Sequence, residues 1–137
     1  MREIKFRGWD VKSKKYRGLG NVQDLFTIRS DGEVNKDYLL EQYTGLHDKN
    51  GKEIYEGDIL STHRESYFHN YITGDEDAID QDLKGLVVII ASKGACLKKP
   101  KYYCNLSGED GTLNQYYNFS AYRSEVIGNI HENPDLL

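Results

Sequence analysis

Four histidines, two cysteines and 22 carboxylates are the side chains of this 137-residue sequence that could hold a metal or move a proton. Their spacing argues against both. His63 and His69 stand six positions apart, and Cys96 and Cys104 eight apart. Neither is the short chelating pair from which structural zinc sites are built. Asp75-Glu76-Asp77 opens like a calcium loop, but Ile79 falls where an oxygen ligand is needed and Asp80 where the sharp turn needs glycine. A solvated acidic loop from Gly74 to Asp82 is the better reading. Gly18-Leu19-Gly20 lacks the third glycine and the following helix of a dinucleotide fingerprint, and neither a P-loop nor a serine nucleophile elbow is present. General acid-base catalysis needs a carboxylate or imidazole held in a cleft with a shifted pKa, and no pair is singled out by spacing. The sequence assigns no catalytic residue, no metal and no cofactor.

One surface carries a mechanism. In Lys98-Lys99-Pro100-Lys101-Tyr102-Tyr103, the lysines could neutralise phosphates and exposed tyrosine rings could stack on bases. The plainer reading, a solvated loop leading into a tyrosine-containing strand, is preferred. The formal net charge of -4 conceals segregation. Seven bases lie between Met1 and Arg17, against only Glu3 and Asp10. Asp75 to Asp82 carries five acids and no base; without them, 17 acids face 18 bases. A near-neutral body with a basic start leaves nucleic-acid binding open. Both cysteines are expected as reduced thiols, since no export signal or membrane-length apolar run is visible.

The elements that must position these groups read as strands. Ile4, Phe6 and Gly8 alternate with Lys5 and Arg7, the period of a half-buried antiparallel strand that Trp9-Asp10 ends. Leu25-Ile28 is a second candidate. Tyr38-Leu46 is ambiguous, with strand favoured for its second half. Asp48-Lys49-Asn50-Gly51-Lys52 is the clearest turn, because Asn and Gly accept positive φ at little cost. Gly57-Asp58 reads as a bend, with Asp58 accepting a nearby backbone hydrogen bond, before Ile59 and Leu60 start another strand. The pattern breaks from His63 to Lys84. Tyr67, Phe68, Tyr71 and Ile72 suit either a strand or a helical turn. Leu86-Ala91, Tyr102-Cys104, Gln115-Phe119 and Glu125-Ile130 complete the strands, with Lys98-Lys99-Pro100 as punctuation.

Three stretches resemble the YopX-like family of phage and prophage proteins. They are Arg2-Glu3-Ile4-Lys5-Phe6-Arg7-Gly8-Trp9-Asp10; Gln42-Tyr43-Thr44-Gly45-Leu46 running through Asp48-Lys49-Asn50-Gly51-Lys52-Glu53-Ile54-Tyr55-Glu56-Gly57-Asp58-Ile59; and Glu125-Val126-Ile127-Gly128-Asn129-Ile130 with Glu132-Asn133-Pro134. Gly8, His47 and His131 depart from the family pattern, where Ala, Lys and Tyr respectively are common. The resemblance implies a single domain over 1–137 with a variable insert about 63–119. It implies a mainly β fold with a small SH3-like β-barrel, additional strands and hairpins, and little helix. It implies a phage or prophage origin in a bacterial cytoplasm and no known activity. The signature residues Gly45, Asn50, Gly51, Gly57 and Asp58 read as structural.

Apolar residues make up only 38% of the chain, and 11 tyrosines partly make up the deficit with apolar bodies and polar tips. Such a chain is expected to bury further surface between subunits. The expectation is a non-catalytic protein-binding module that forms a homo-oligomer and contacts an unknown phage or host protein, with no membrane partner. A nucleic-acid-binding barrel and an enzyme whose site forms only in three dimensions are the rivals.

Overall fold

The computed structural model describes residues 4–17 and 38–137. The strand expected at Leu25-Ile28 lies outside them. Among the described residues ten strands follow in chain order: β1 Phe6–Asp10, β2 Lys15–Arg17, β3 Tyr38–His47, β4 Glu53–Tyr55, β5 Asp58–His69, β6 Glu76–Ile90, β7 Gly94–Cys104, β8 Asp110–Thr112, β9 Tyr116–Tyr117 and β10 Ser124–Asn129. Only short 3₁₀ turns at Ala121–Arg123 and Pro134–Leu136 interrupt the β structure among the described residues. The protein is therefore mainly β.

Two antiparallel sheets form. The smaller has the order β2-β1-β3-β4; the larger has the order β10-β5-β6-β7-β8, with β9 also paired to β7, and curls into a half-barrel. Ile54, Leu60, Val87, Leu97 and Phe119 make the apolar core, with Ala95, Tyr117, Ala121 and Val126 packed around it. Ile54 comes from the smaller sheet and Leu60, Val87 and Leu97 from the larger, so this core joins the two.

The β3–β4 turn follows from its residues. The Asp48 carboxylate accepts the N–H groups of Asn50 at 2.9 Å and Lys52 at 2.9 Å, and Gly51 sits at φ +82°. The same carboxylate accepts Val126 N–H at 3.0 Å and so ties the turn to β10. Gly45 lies within the register shift between β3 and β4, between Tyr43 and Leu46. The Tyr38–Leu46 ambiguity resolves as strand throughout.

The first strand does end at Trp9-Asp10, both of which pair with β3 and are buried. Several other boundaries need correction. The acidic segment from Gly74 to Asp82 is a loop only as far as Asp75; from Glu76 it continues as β6. Cross-strand partners hold its acids in register. Glu76, Asp80 and Asp82 sit opposite His69, Glu65 and His63 on β5, and Asp77 accepts the Asn70 side-chain amide at 2.7 Å. Tyr67 and Phe68 belong to β5, whereas Tyr71 and Ile72 form the turn. Lys98-Lys99-Pro100 does not end a strand, since β7 passes through it. Gly85 alone faces Lys99 and Pro100 across a bulge, and Lys99 takes φ +42° there. A bulge lets proline sit inside a sheet without a missing ladder bond.

Candidate functional site

Three places concentrate groups that could act on a partner. The first is a buried polar cluster where the two sheets meet. Arg7 points away from the solvent-facing neighbours that its alternation implies and inserts between carboxylates. Its Nε donates to Glu41 Oε1 at 3.0 Å and its Nη2 to Asp58 Oδ1 at 2.8 Å. The guanidinium lies between the rings of Tyr16 and Tyr55, at 4.1 and 4.7 Å from their centroids. Tyr16 donates its hydroxyl to Glu41 Oε1 at 2.8 Å. Asp58 is 2% exposed, and its other oxygen accepts Tyr55 N–H at 2.8 Å, which fixes the bend after Gly57.

Gly57 shapes this cluster. It takes φ +89°, and a Cβ there would overlap the Glu41 carboxylate. Its carbonyl accepts Ile130 N–H at 2.8 Å. The chain after β10 thereby brings in His131, whose ring stacks on Trp9 with centroids 4.6 Å apart and planes 9° apart. His131 Nε2 approaches Glu41 Oε2 at 3.4 Å without hydrogen-bond geometry. Burial works against the Arg7 charge, but the Asp58 and Glu41 carboxylates outweigh it and its pKa is raised. Burial, and then the bond to Glu41, push the Tyr16 phenol well above its ordinary value. Arg7 stays cationic and Tyr16 stays protonated. Arg7 thus bridges two carboxylates, and burial raises the pKa of Asp58 against the pull of Arg7, an arrangement that suits a joint between sheets.

Sequence reasoning missed Glu41, Tyr16 and the inward turn of Arg7. Glu41 and Tyr16 stand outside the family stretches, and the alternation around Arg7 gives no sign that a second sheet covers its face.

The second place is the outer face of the larger sheet. Ladder register puts directly opposed side chains on one face. Ser61, Lys84, Lys101 and Thr112 form one row; His63, Asp82, Tyr103 and Asp110 form the next. All of them except His63 border an open cleft of about 430 Å³. A smaller hollow of about 190 Å³ adjoins it, sharing Lys84 and Lys101 and adding Lys98, Lys99 and Leu137. The predicted cluster therefore divides. Lys98, Lys99, Lys101 and Tyr103 are exposed, whereas Tyr102 points to the opposite face and packs its ring against Gly111. His63 is held by two acids, Asp82 at 2.8 Å and Asp80 at 3.0 Å. Among the described residues no set of three or more His, Cys, Asp or Glu side chains could hold a metal.

The third place is the β5–β6 hairpin. Its neighbours stop early. β10 leaves β5 at Thr62, and β7 leaves β6 at Gln81. Past Glu65 and Asp80 the two strands continue as a bare ribbon among the described residues, through His69 and Glu76 to the turn. Tyr67 is 73% exposed, Phe68 49%, Tyr71 92% and Ile72 95%. Arg64 lies over the Tyr117 ring and Arg123 lies 3.8 Å from Glu65, bracing the root.

No helix among the described residues is long and apolar enough to cross a membrane. Cys96 is buried and Cys104 partly so, both as free thiols.

Comparison with known proteins follows from this geometry. No curated protein matches the chain. Among solved structures, the crystal structure of protein EF1440 from Enterococcus faecalis is similar, at 24% identity over 100% of this chain and 99% of that one, with a TM-score of 0.48. The family model described as YopX protein matches residues 5–137. With nearly its whole length matched, this chain belongs to the YopX family.

Proposed function

We propose that this chain is a non-catalytic protein-binding module and that the β5–β6 arm is its contact element. One observation carries the reading: a two-stranded ribbon, unsupported among the described residues, holds four large apolar side chains in solvent at its end. An isolated hairpin is marginal in water, and contiguous exposed apolar surface marks contact sites. The cluster around Arg7 is read as structural, because Arg7 engages both of its carboxylates and ties the two sheets together. The half-barrel sheet is read as the SH3-like barrel, and the protein as a phage- or prophage-encoded accessory acting in the host cytoplasm. Both extensions rest on the family resemblance.

A protein partner is favoured over nucleic acid because Asp75, Glu76 and Asp77 stand beside the exposed apolar side chains at the end of the arm and would repel a phosphate backbone. The test replaces Tyr67 with a photo-crosslinking amino acid in the bacterial host, with Asn114 as an exposed control position. Discrete protein adducts from position 67 and none from 114 are expected. No adduct from 67, or the same adducts from both, overturns the reading.

A further inference from the structure

Resting on that reading, we infer that the partner is a second copy of this chain, with each copy's arm laid across the lysine-lined cleft of the other. The argument begins with a conflict in the sheet. Lys84 and Lys101 oppose each other directly on neighbouring strands, and no carboxylate among the described residues pairs with either. Like charges placed opposite one another destabilise a sheet. Lys98 and Lys99 add two more cations around the adjoining hollow. The cleft thus has an unmet need for acidic groups at one end.

The arm has the complementary composition. Glu65, Asp75, Glu76 and Asp77 surround its exposed aromatic end, where no lysine or arginine follows Arg64 until Lys84. Glu65, Tyr67 and Glu76 project from the same face of the sheet as Lys84 and Lys101, as the alternating register requires. The arm cannot satisfy its own cleft. Glu76 lies eight residues from Lys84 along one strand, about 26 Å at the rise of extended chain, and the strand runs straight away from it. A second copy facing the first in the opposite direction brings acidic arm onto basic cleft at both ends. Each residue contact is then made twice, as in any two-fold interface. Tyr67 meets Tyr103, and Asp75 and Glu76 at the end of the arm reach the opposed lysines.

The experiment uses sedimentation equilibrium of the full chain and two charge-reversed variants, Lys84→Glu with Lys101→Glu, and Asp75→Lys with Glu76→Lys. The wild type is expected to associate into pairs of 15.8 kDa chains. Each variant alone is expected to dissociate with a Kd raised about tenfold or more, for loss of two charge pairs per contact. An equimolar mixture of the two variants is expected to recover the pair, because acidic arm then meets basic cleft and basic arm meets acidic cleft. Far-UV circular dichroism on each variant shows that the fold persists, and recovery in the mixture itself excludes misfolding. Three results overturn the inference: a wild type that stays monomeric at its highest soluble concentration, variants that pair as well as the wild type, or a mixture that does not recover. Loss of single-stranded DNA retention on reversing Lys84 and Lys101, with association unchanged, overturns it too and gives the cleft to nucleic acid. If position 67 crosslinks only to a different protein, the second-copy inference fails while the protein-binding reading stands.

Discussion

Replacing Gly57 with alanine tests whether the cluster around Arg7 is the joint that holds the two sheets. Two separate penalties are built into the position. Holding an L-residue at φ +89° costs about 1–2 kcal/mol. The new methyl group also occupies the space of the Glu41 carboxylate, which must leave Arg7 and Tyr16. Losing charge-assisted hydrogen bonds in a buried setting costs a further ~2–3 kcal/mol. The sum, about 3–5 kcal/mol, is a large share of the ~5–15 kcal/mol that stabilises an ordinary domain. Gly51→Ala supplies the control, because Gly51 has nearly the same φ of +82° and nothing within 4 Å of an added Cβ. Urea unfolding should give a small fall in midpoint for Gly51→Ala and a fall two- to threefold larger for Gly57→Ala, at unchanged m-value. The second penalty should vanish in a Glu41→Ala background, where Gly57→Ala costs only the backbone part, a coupling that a double-mutant cycle reads directly. Equal losses at Gly51 and Gly57, or no coupling to Glu41, refute the reasoning.

Arg7→Met leaves Glu41 and Asp58 buried without their cation and should cost about 3–5 kcal/mol, seen as a large drop in thermal midpoint; a drop no greater than that of an exposed control such as Lys98→Met contradicts it. Asp48 gives a pH signature. Burial pushes its carboxyl up, but the N–H groups of Val126, Lys52 and Asn50 outweigh burial and hold its pKa below the ordinary carboxylate value. A depressed folded pKa means stability that is complete above the unfolded value near pH 4 and lost as pH falls through the folded one. The stability gap between wild type and Asp48→Asn should therefore be constant from neutral pH to about pH 5 and shrink below about pH 4; a gap unchanged at pH 3, measured by urea titration, removes Asp48 from this role.

What was legible in the sequence is local. Asn50-Gly51 and Gly57-Asp58 could be read because turn geometry depends on a few adjacent residues and on φ values that few side chains accept. The family stretches were legible for the same reason. The long β5–β6 hairpin was not. Its acids, polar residues and exposed rings lack a buried face, so no alternation marks the strand, and the acidic run from Asp75 looks like any solvated loop. Register supplied from the root decides it instead, through Leu60, Thr62 and Leu83, which are buried where the ribbon joins the sheet. The lysines were visible as a charged run, but not the bulge that keeps them in one strand or the register that sets Lys101 against Lys84.

The Arg7 cluster fell between these cases. Alternation places Arg7 opposite Phe6 and Gly8, and for a single sheet that face would be solvent. Here a second sheet covers it, so the outer face of β1 becomes the inner face of the joint, lined by Glu41, Asp58, Tyr16 and Tyr55 instead of by aliphatic side chains. A period of two tells which residues share a face and leaves open what covers that face. This explains how a chain lean in aliphatic residues joins two sheets: the apolar core is small, and an ion cluster walled by aromatic rings does the remaining work of joining them. A joint of that kind is demanding about geometry, because each carboxylate must meet its donor, and the chain supplies it from the start, middle and end through Arg7, Asp58 and His131. The arm makes no such demand. Its root is fixed by the sheet and its end touches little else among the described residues, so its sequence is free to follow whatever it contacts.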